Sequence, residues 1–469
     1  MLRPRPVASA NLRRISLLLM VLSVFLDCGS LQSQEPDSPV DPPDPETLFA
    51  HREANRVWLS GQVNAIFQTH PAFFSKYSGK NSLGAGYQKA TSRLLTVYTG
   101  FRLSESTEVI ADVEEANGAA LSHTLGLAGF SNFDAARNPE SLSKMPYLAR
   151  AMLHKIIGLG GAQIENPRNE LSLFDHLPTR RIELRLGKFS PLDFFDQNTV
   201  GSDSHLQFTN WAIDANDAYD SAADSRGYTV GLLLEYHDAT WALRAAEELM
   251  PKAAGGDQFV WNLTRARADN LELELHPGLF AKKTSVIRLL GYVNHANMGV
   301  YREAIEQFEN GTTAVPDIRN HLWETTRKFG FGLNIEQMLW PSVVLFGRWG
   351  WNNGKTESFC FTEIDSTITG GVGMFGRKWR RPQDRTGIAI ALNAISADHR
   401  TYLADGGYGF MIGDGALNYG REEIVESYYT AHLWRGLYFS PGFQRIVNPA
   451  YNQDRGPVTI PWLRLHLEL

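Results

Sequence analysis

The stretch "RIELRLGKF", Arg181–Phe189, puts Ile182, Leu184 and Leu186 on one side of an extended chain and Arg181, Glu183 and Arg185 on the other. Successive side chains of a strand point to opposite faces, so the stretch reads as a strand with one apolar surface and one charged surface. The pattern recurs. Leu95, Val97, Phe101 and Leu103 oppose Thr96, Tyr98 and Arg102, and Val109, Ala111 and Val113 oppose Glu108, Asp112 and Glu114. Leu271, Leu273 and Leu275 oppose Glu272, Glu274 and His276, and Phe329, Phe331, Leu333 and Ile335 oppose Lys328, Asn334 and Glu336. The chain closes on Leu463, Leu465, Leu467 and Leu469 against Arg464, His466 and Glu468.

A soluble sandwich or propeller also has one core face and one wet face per strand. Charge at nearly every polar position of strand after strand favours a sheet between two solvents, aliphatic outside and aqueous inside. Beyond the N-terminus no run approaches the ~18 apolar residues of a membrane helix. Insertion would therefore be as a closed barrel, which satisfies its own backbone.

The fold predicted is all-β, a transmembrane antiparallel β-barrel of about 16 strands, with 18 as the alternative, wide enough for a water channel. Candidate strands include 181–189, 258–266, 269–276, 327–336, 342–351, 423–433, 436–446 and 458–468. The segments 116–146, 190–225, 296–325 and 395–421 are left as long extracellular or lumen-folded loops.

Composition sets the class only coarsely. The formal net charge of −6 gives a nucleic-acid partner no electrostatic support. The 41 glycines and 11 tryptophans suit many tight turns and aromatic belts. Arg3, Arg5, Arg13 and Arg14 precede the apolar run Ile15–Leu26, the arrangement of an export signal. Residues 1–33 are expected to be removed, which takes the net charge to about −9 through loss of the four arginines and Asp27. "QEPDSPVDPPDPE" opens a Pro/Asp-rich linker, 34–55, and the barrel is assigned to 56–469. Cys28 raises the lipoprotein alternative, against which stands the absence of small residues in "FLD" before it. With Cys28 removed, Cys360 has no intramolecular partner.

No H-E-x-x-H, G-x-S-x-G or metal-spaced Cys/His cluster occurs, and no catalytic residue, metal or cofactor is assigned. Gly371, Gly373 and Gly376 match G-x-G-x-x-G without a following helix, so a strand bend or a crowded lumen explains them better.

Three stretches resemble the carbohydrate-selective porins of OprB type: "GQVNAIFQTHPAFFSKYSGKNSL" (61–83), "LGLAGFSNFD" (125–134) and "GDGALNYGREEIVESYYTAHLWRGLYFSPGFQRIVNPAYNQDRGP" (413–457). In the last of these the matching residues include Gly413, Asp414, Gly415, Leu417, Asn418, Tyr419 and Gly420. They continue with Glu426, Tyr428, Tyr429, Gln444, Ile446, Asn448 and Pro449. Tyr451, Asn452, Asp454, Arg455, Gly456 and Pro457 complete the match. The chain departs from the family in ending on Leu469 rather than an aromatic.

The resemblance implies an outer-membrane barrel for passive diffusion, with small sugars as solutes, membrane lipid around it and a homo-oligomer as an option. A barrel with a binding or enzymatic role and a soluble β-rich carbohydrate-binding protein are the alternatives. A sugar-selective lumen needs donors and acceptors for hydroxyls, and the candidates are Arg181, Glu183, Arg185, Arg288, Arg348, Glu426 and Arg464. Each is equally suited to a charge ladder across neighbouring strands. Trp349, Trp351 and Trp462 are read as interfacial anchors.

Overall fold

A computed structural model describes residues 46–51, 56–136, 144–277, 284–360 and 362–469. The signal segment 1–33, with Cys28, and residues 34–45 and 52–55 of the linker lie outside the described residues, as does the separate unit Met1–Asp44. Every described strand and helix belongs to the unit Pro45–Leu469.

The strands are β1 Val57–His70, β2 Gln88–Ser104, β3 Thr107–Gly118, β4 Tyr147–Glu165, β5 His176–Phe189, β6 Thr229–His237, β7 Trp241–Glu248 and β8 Arg267–Leu275. They continue as β9 Ser285–Ala296, β10 Thr326–Trp340, β11 Val343–Asn352, β12 Ser366–Phe375, β13 Arg385–Ala394, β14 Glu422–Trp434, β15 Leu437–Val447 and β16 Val458–Glu468. Each pairs antiparallel with its sequence neighbours, and β1 closes the ring on β16 through Gln62↔Glu468 to Gln68↔Trp462. This is the sixteen-strand barrel; the eighteen-strand alternative and the sandwich are set aside.

Alternation decides which side is which. Leu186 (52% exposed), Leu271 (52%), Leu289 (46%) and Leu465 (49%) point outward, while Glu108, Asp112, Arg348, Glu426 and Arg464 are buried within the barrel. Exposed aliphatics outside and buried charges inside invert a soluble protein and match a wall set between lipid and water. Aromatics border the aliphatic band. Phe331 packs against Trp349 and Trp351 (centroids 5.0 and 5.5 Å apart) toward one edge, and Trp340 and Trp434 are exposed toward the other.

The two ends differ. Turns 105–106, 238–240, 341–342 and 435–436 are tight, with Arg435 in the left-handed region (φ 45°) in the last of them. The connections on the opposite end include no tight turn: 71–87, 119–146, 190–228, 249–266, 297–325, 353–365, 395–421 and 448–457. These loops pack together over the mouth. Phe130, Trp211, Met298, Tyr301, Phe359, Tyr402, Met411 and Tyr451 share one buried cluster, a canopy with its own core. Helices α1 Phe133–Ala136, α2 Trp211–Asp214, α3 Tyr301–Glu309 and α4 Ala397–Ala404 belong to these loops. Ser396 caps α4 by accepting from the His399 amide (3.2 Å), and His399 stacks on Tyr301 of α3 (4.3 Å).

Two expectations are corrected. Segment 258–266 is not a strand; Val260 and Ala266 join the canopy core, and β8 begins only at Arg267. Its apolar residues serve loop packing, which period alone does not distinguish from a strand. Trp462 is not an interfacial anchor: it is 1% exposed and points inward on β16, on the same face as Arg464 and His466.

The candidate functional site: a lumen narrowed by one folded loop

Loop 190–228 leaves the end of β5 and folds into the barrel, where almost all of it is buried. Its backbone is rich in polar groups that need partners away from bulk water. The inner wall supplies them. Arg348 of β11 donates to Ile213 O (2.8 Å), Ser202 Oγ (2.7 Å) and Asp196 O (3.1 Å), and its Nε lies 2.7 Å from the Asp196 carboxylate. Asn334 donates to Asp196 O (2.9 Å) and Gln197 O (3.1 Å), and Glu336 accepts from the Thr199 amide and hydroxyl (2.8 and 2.6 Å). Glu426 of β14 accepts from Thr209 N, Thr209 Oγ1 and Asn210 N at 2.8–3.0 Å, and Arg464 of β16 donates to Ser204 O (2.7 Å). Glycines clear the path: a Cβ at Gly373 would lie 2.6 Å from the Val200 side chain, and one at Gly371 would lie 2.5 Å from Phe346. The G-x-G-x-x-G match is thus a crowded inner wall.

A second group forms a ladder on the opposite arc of the wall. His154 of β4 lies between Glu108 (2.7 Å) and Glu183 (2.8 Å). Glu183 also accepts from Arg181 (2.6 Å) and Arg185 (2.7 Å), and Arg185 pairs with Glu235. Arg244 bridges Glu235 (2.9 Å), Glu272 (3.1 Å) and Glu274 (2.9 Å), and Arg288 pairs with Glu274 (2.8 Å). Alternating signs on adjacent strands offset the cost of burying each charge.

The seven candidates therefore fall into two sets. Arg181, Glu183, Arg185 and Arg288 belong to the ladder, whereas Arg348, Glu426 and Arg464 hold loop 190–228. The open space lies elsewhere, between that loop and the wall of β1–β4. It is a cavity of about 230 Å³ lined by Gln62, Tyr98, Glu114, Arg150, Asp193 and His205, with Phe133 above and Glu170 of turn 166–175 below. Arg150 forks onto Asp193 (2.7 and 2.6 Å) and reaches Asp112 (3.1 Å). Tyr98 stacks on Trp58 (6.1 Å), and the Arg150 guanidinium lies over the Tyr228 ring (5.8 Å). Sequence reasoning named none of these as site residues. Tyr98 and Glu114 carried the signal, being polar-face residues of β2 and β3, but which wall the loop leans on is not written locally.

The sequence motif of the last strands serves the mouth. Arg455, 2% exposed, donates to Ser75 Oγ (2.8 Å), Ser78 Oγ (2.9 Å) and the carbonyls of Tyr77 and Leu83, while its Nε faces Asp414 (3.4 Å). Asp414 in turn accepts from Asn452 (3.0 Å) and Ser82. Burial raises the Asp414 carboxyl above its usual range despite Arg455, and burial lowers Arg455 despite Asp414. Loops 71–87, 395–421 and 448–457 are knotted at this pair.

The family match agrees with this architecture. The model of the carbohydrate-selective porin, OprB family, matches residues 80–469. A high-pH structure of OprB from Pseudomonas putida superposes with a TM-score of 0.65 at 13% identity, covering 88% of this chain and 94% of that one. The outer-membrane channel DcaP of Acinetobacter baumannii gives 0.48 at 9% identity, over 88% of this chain and 97% of that one. No curated protein matches at the sequence level. With a sixteen-strand barrel, a loop folded into its lumen and the family match spanning nearly all of the barrel, the chain belongs to the carbohydrate-selective porins of the OprB family, channels of the bacterial outer membrane.

Proposed function

We propose that sugars cross through the gap between loop 190–228 and the β1–β4 wall, and that this gap is where selection takes place. The observation that carries the reading is the asymmetry of the lumen. The loop takes up the hydrogen-bonding groups of the β8–β16 wall and leaves a cavity of about 230 Å³ on the other side. That is below the ~300–1,000 Å³ of pockets for drug-sized ligands, and suits one sugar ring at a time. Arg150, Gln62 and His205 would exchange hydrogen bonds with hydroxyls, and Tyr98 would present a ring face to the apolar side of the sugar. In this reading Arg181, Glu183, Arg185 and Arg288 stiffen the wall, and Arg348, Glu426 and Arg464 set the aperture. The activity is diffusion, with no catalytic step.

The test is ion current through planar bilayers. Monosaccharides should reduce the current, and Tyr98→Ala or Gln62→Ala should weaken the block several-fold while leaving the open current similar or larger. Unchanged block in both variants would place selection elsewhere in the lumen. The reading includes export with loss of residues 1–33, which N-terminal sequencing of the mature protein checks, and a homo-oligomer, which its native mass checks.

A further inference from the structure

The outer surface across β8, β9 and β10 is arranged in register rows. Arg267↔His295↔Arg327 form one row, Asp269↔Val293↔Phe329 the next, and Leu271↔Gly291↔Phe331 the third; Leu273↔Leu289↔Leu333 follow. The third row lies level with Trp351, which pairs with Phe331 and belongs to the aromatic edge of the lipid band. The first row therefore stands in the headgroup layer on the long-loop side.

Gly291 breaks the row it sits in. A Cβ built there meets nothing within 4 Å, and an outward groove of about 630 Å³ opens over it, lined by Leu271, Val293, Phe329, Asp269 and Arg327. Apolar atoms dominate the lower part and charge its upper end. Arg327 has no ion-pair partner among the described residues, while Arg267 pairs with Asp269 (3.1 Å). His295 Nδ1 is 3.8 Å from Asp269 and makes no hydrogen bond. A further guanidinium, Arg265, lies over Trp323 (4.8 Å) in the connection just before β8. Arg267 and Arg327 thus stand against one aspartate, Asp269. Guanidinium forks match phosphate oxygens bidentately.

We propose that this groove binds a phosphorylated lipid of the outer leaflet, with an acyl chain in the notch at Gly291 and a headgroup phosphate between Arg267 and Arg327. Charge complementarity and the apolar notch left open at Gly291 carry the assignment. Asp269 opposes a phosphate, which favours one placed toward Arg327.

The probe is diphosphorylated lipid A, with its dephosphorylated form as control, titrated onto the full processed chain in detergent and read by native mass spectrometry. Wild type should retain one phosphorylated lipid per chain and little of the control. Arg267→Gln/Arg327→Gln should lower retention on the order of fivefold per arginine. Gly291→Leu, which fills open space, should lower it through the acyl chain with the arginines intact. A heat-modifiable gel shift identifies folded variants, and each of the two variants tests the proposal by itself. Equal retention of both lipids, or retention unchanged in the variants, overturns the proposal. So does a change in subunit number without loss of lipid, which would make the face an interface between copies of this chain.

Discussion

Glu357, in loop 353–365, accepts a hydrogen bond from the Gly299 amide (3.0 Å) and is raised to about 7 by burial, with Gly299, Arg319 and His321 opposing the shift. Its usual value is 4.5, so the folded canopy favours the protonated form. The contribution to stability is fully present below 4.5 and is lost as pH rises through 7, a ceiling of about 3 kcal/mol at ~1.4 kcal/mol per unit. Glu363 is also raised by burial and acts in the same direction. Asp365, held low by His399 against burial, stays ionised across this window and adds nothing. After correction for the base-catalysed rise in intrinsic exchange, backbone amides of 299 and 353–360 should be less protected at pH 8 than at pH 5, and Glu357→Gln should shrink that difference. An unchanged difference would assign the pH response to another group. At this scale the sequence was least legible: Glu357 and Arg455 have ordinary neighbours in the chain, and only burial by distant loops gives them their roles.

Loop 190–228 is the element on which transport depends. Arg348→Met removes its bonds to Ile213 and Ser202 and leaves the Asp196 carboxylate buried without its cation. Breaking such a pair from one side costs roughly 3–5 kcal/mol. The loop should loosen while the barrel stays intact. Single channels should show larger, noisier currents, and protease should cut within 190–228; Arg348→Met/Asp196→Asn should reverse part of both effects. The strands were legible because a two-residue period with aliphatics outside and polar or charged residues inside is written in most of them. The loop's destination was not, since Thr209 and Asn210 meet Glu426 across more than two hundred residues of sequence. Segment 258–266 misled for a related reason: Val260 and Ala266 serve a core assembled from several distant loops. Trp462 misled because aromatic residues near strand ends more often face lipid.

Across the whole molecule, charge is distributed unevenly around the passage. The cavity lining holds Glu114, Glu170, Asp193, Asp196, Asp203 and Asp214 against Arg150. Asp193, Asp196 and Asp203 have arginine partners, yet acids still outnumber bases, and a narrow low-dielectric passage concentrates that potential. Burial raises Asp214 to about 7, so it is fully charged only above neutral pH, and the channel should favour cations in a salt gradient more strongly at pH 8 than at pH 6, with the reversal potential as the measurement. Neutral sugars should block the current more strongly than the corresponding sugar acids at pH 7. Asp214→Asn with Glu114→Gln should reduce both differences.

The Arg455–Asp414 knot also has a bearing on how the protein is made. Loop 71–87 leaves the first strand early in synthesis, but its main polar partner lies a few residues before the last strand. The β1–β16 seam depends on the same late segment. Sealing the wall and organising the mouth are thereby one event, completed by the final hairpin. A chain stalled before it would carry both an open sheet edge and an Asp414 lacking its cover and its counter-ion. Those two exposed defects are features by which an assembly or degradation machine could tell an unfinished barrel from a finished one.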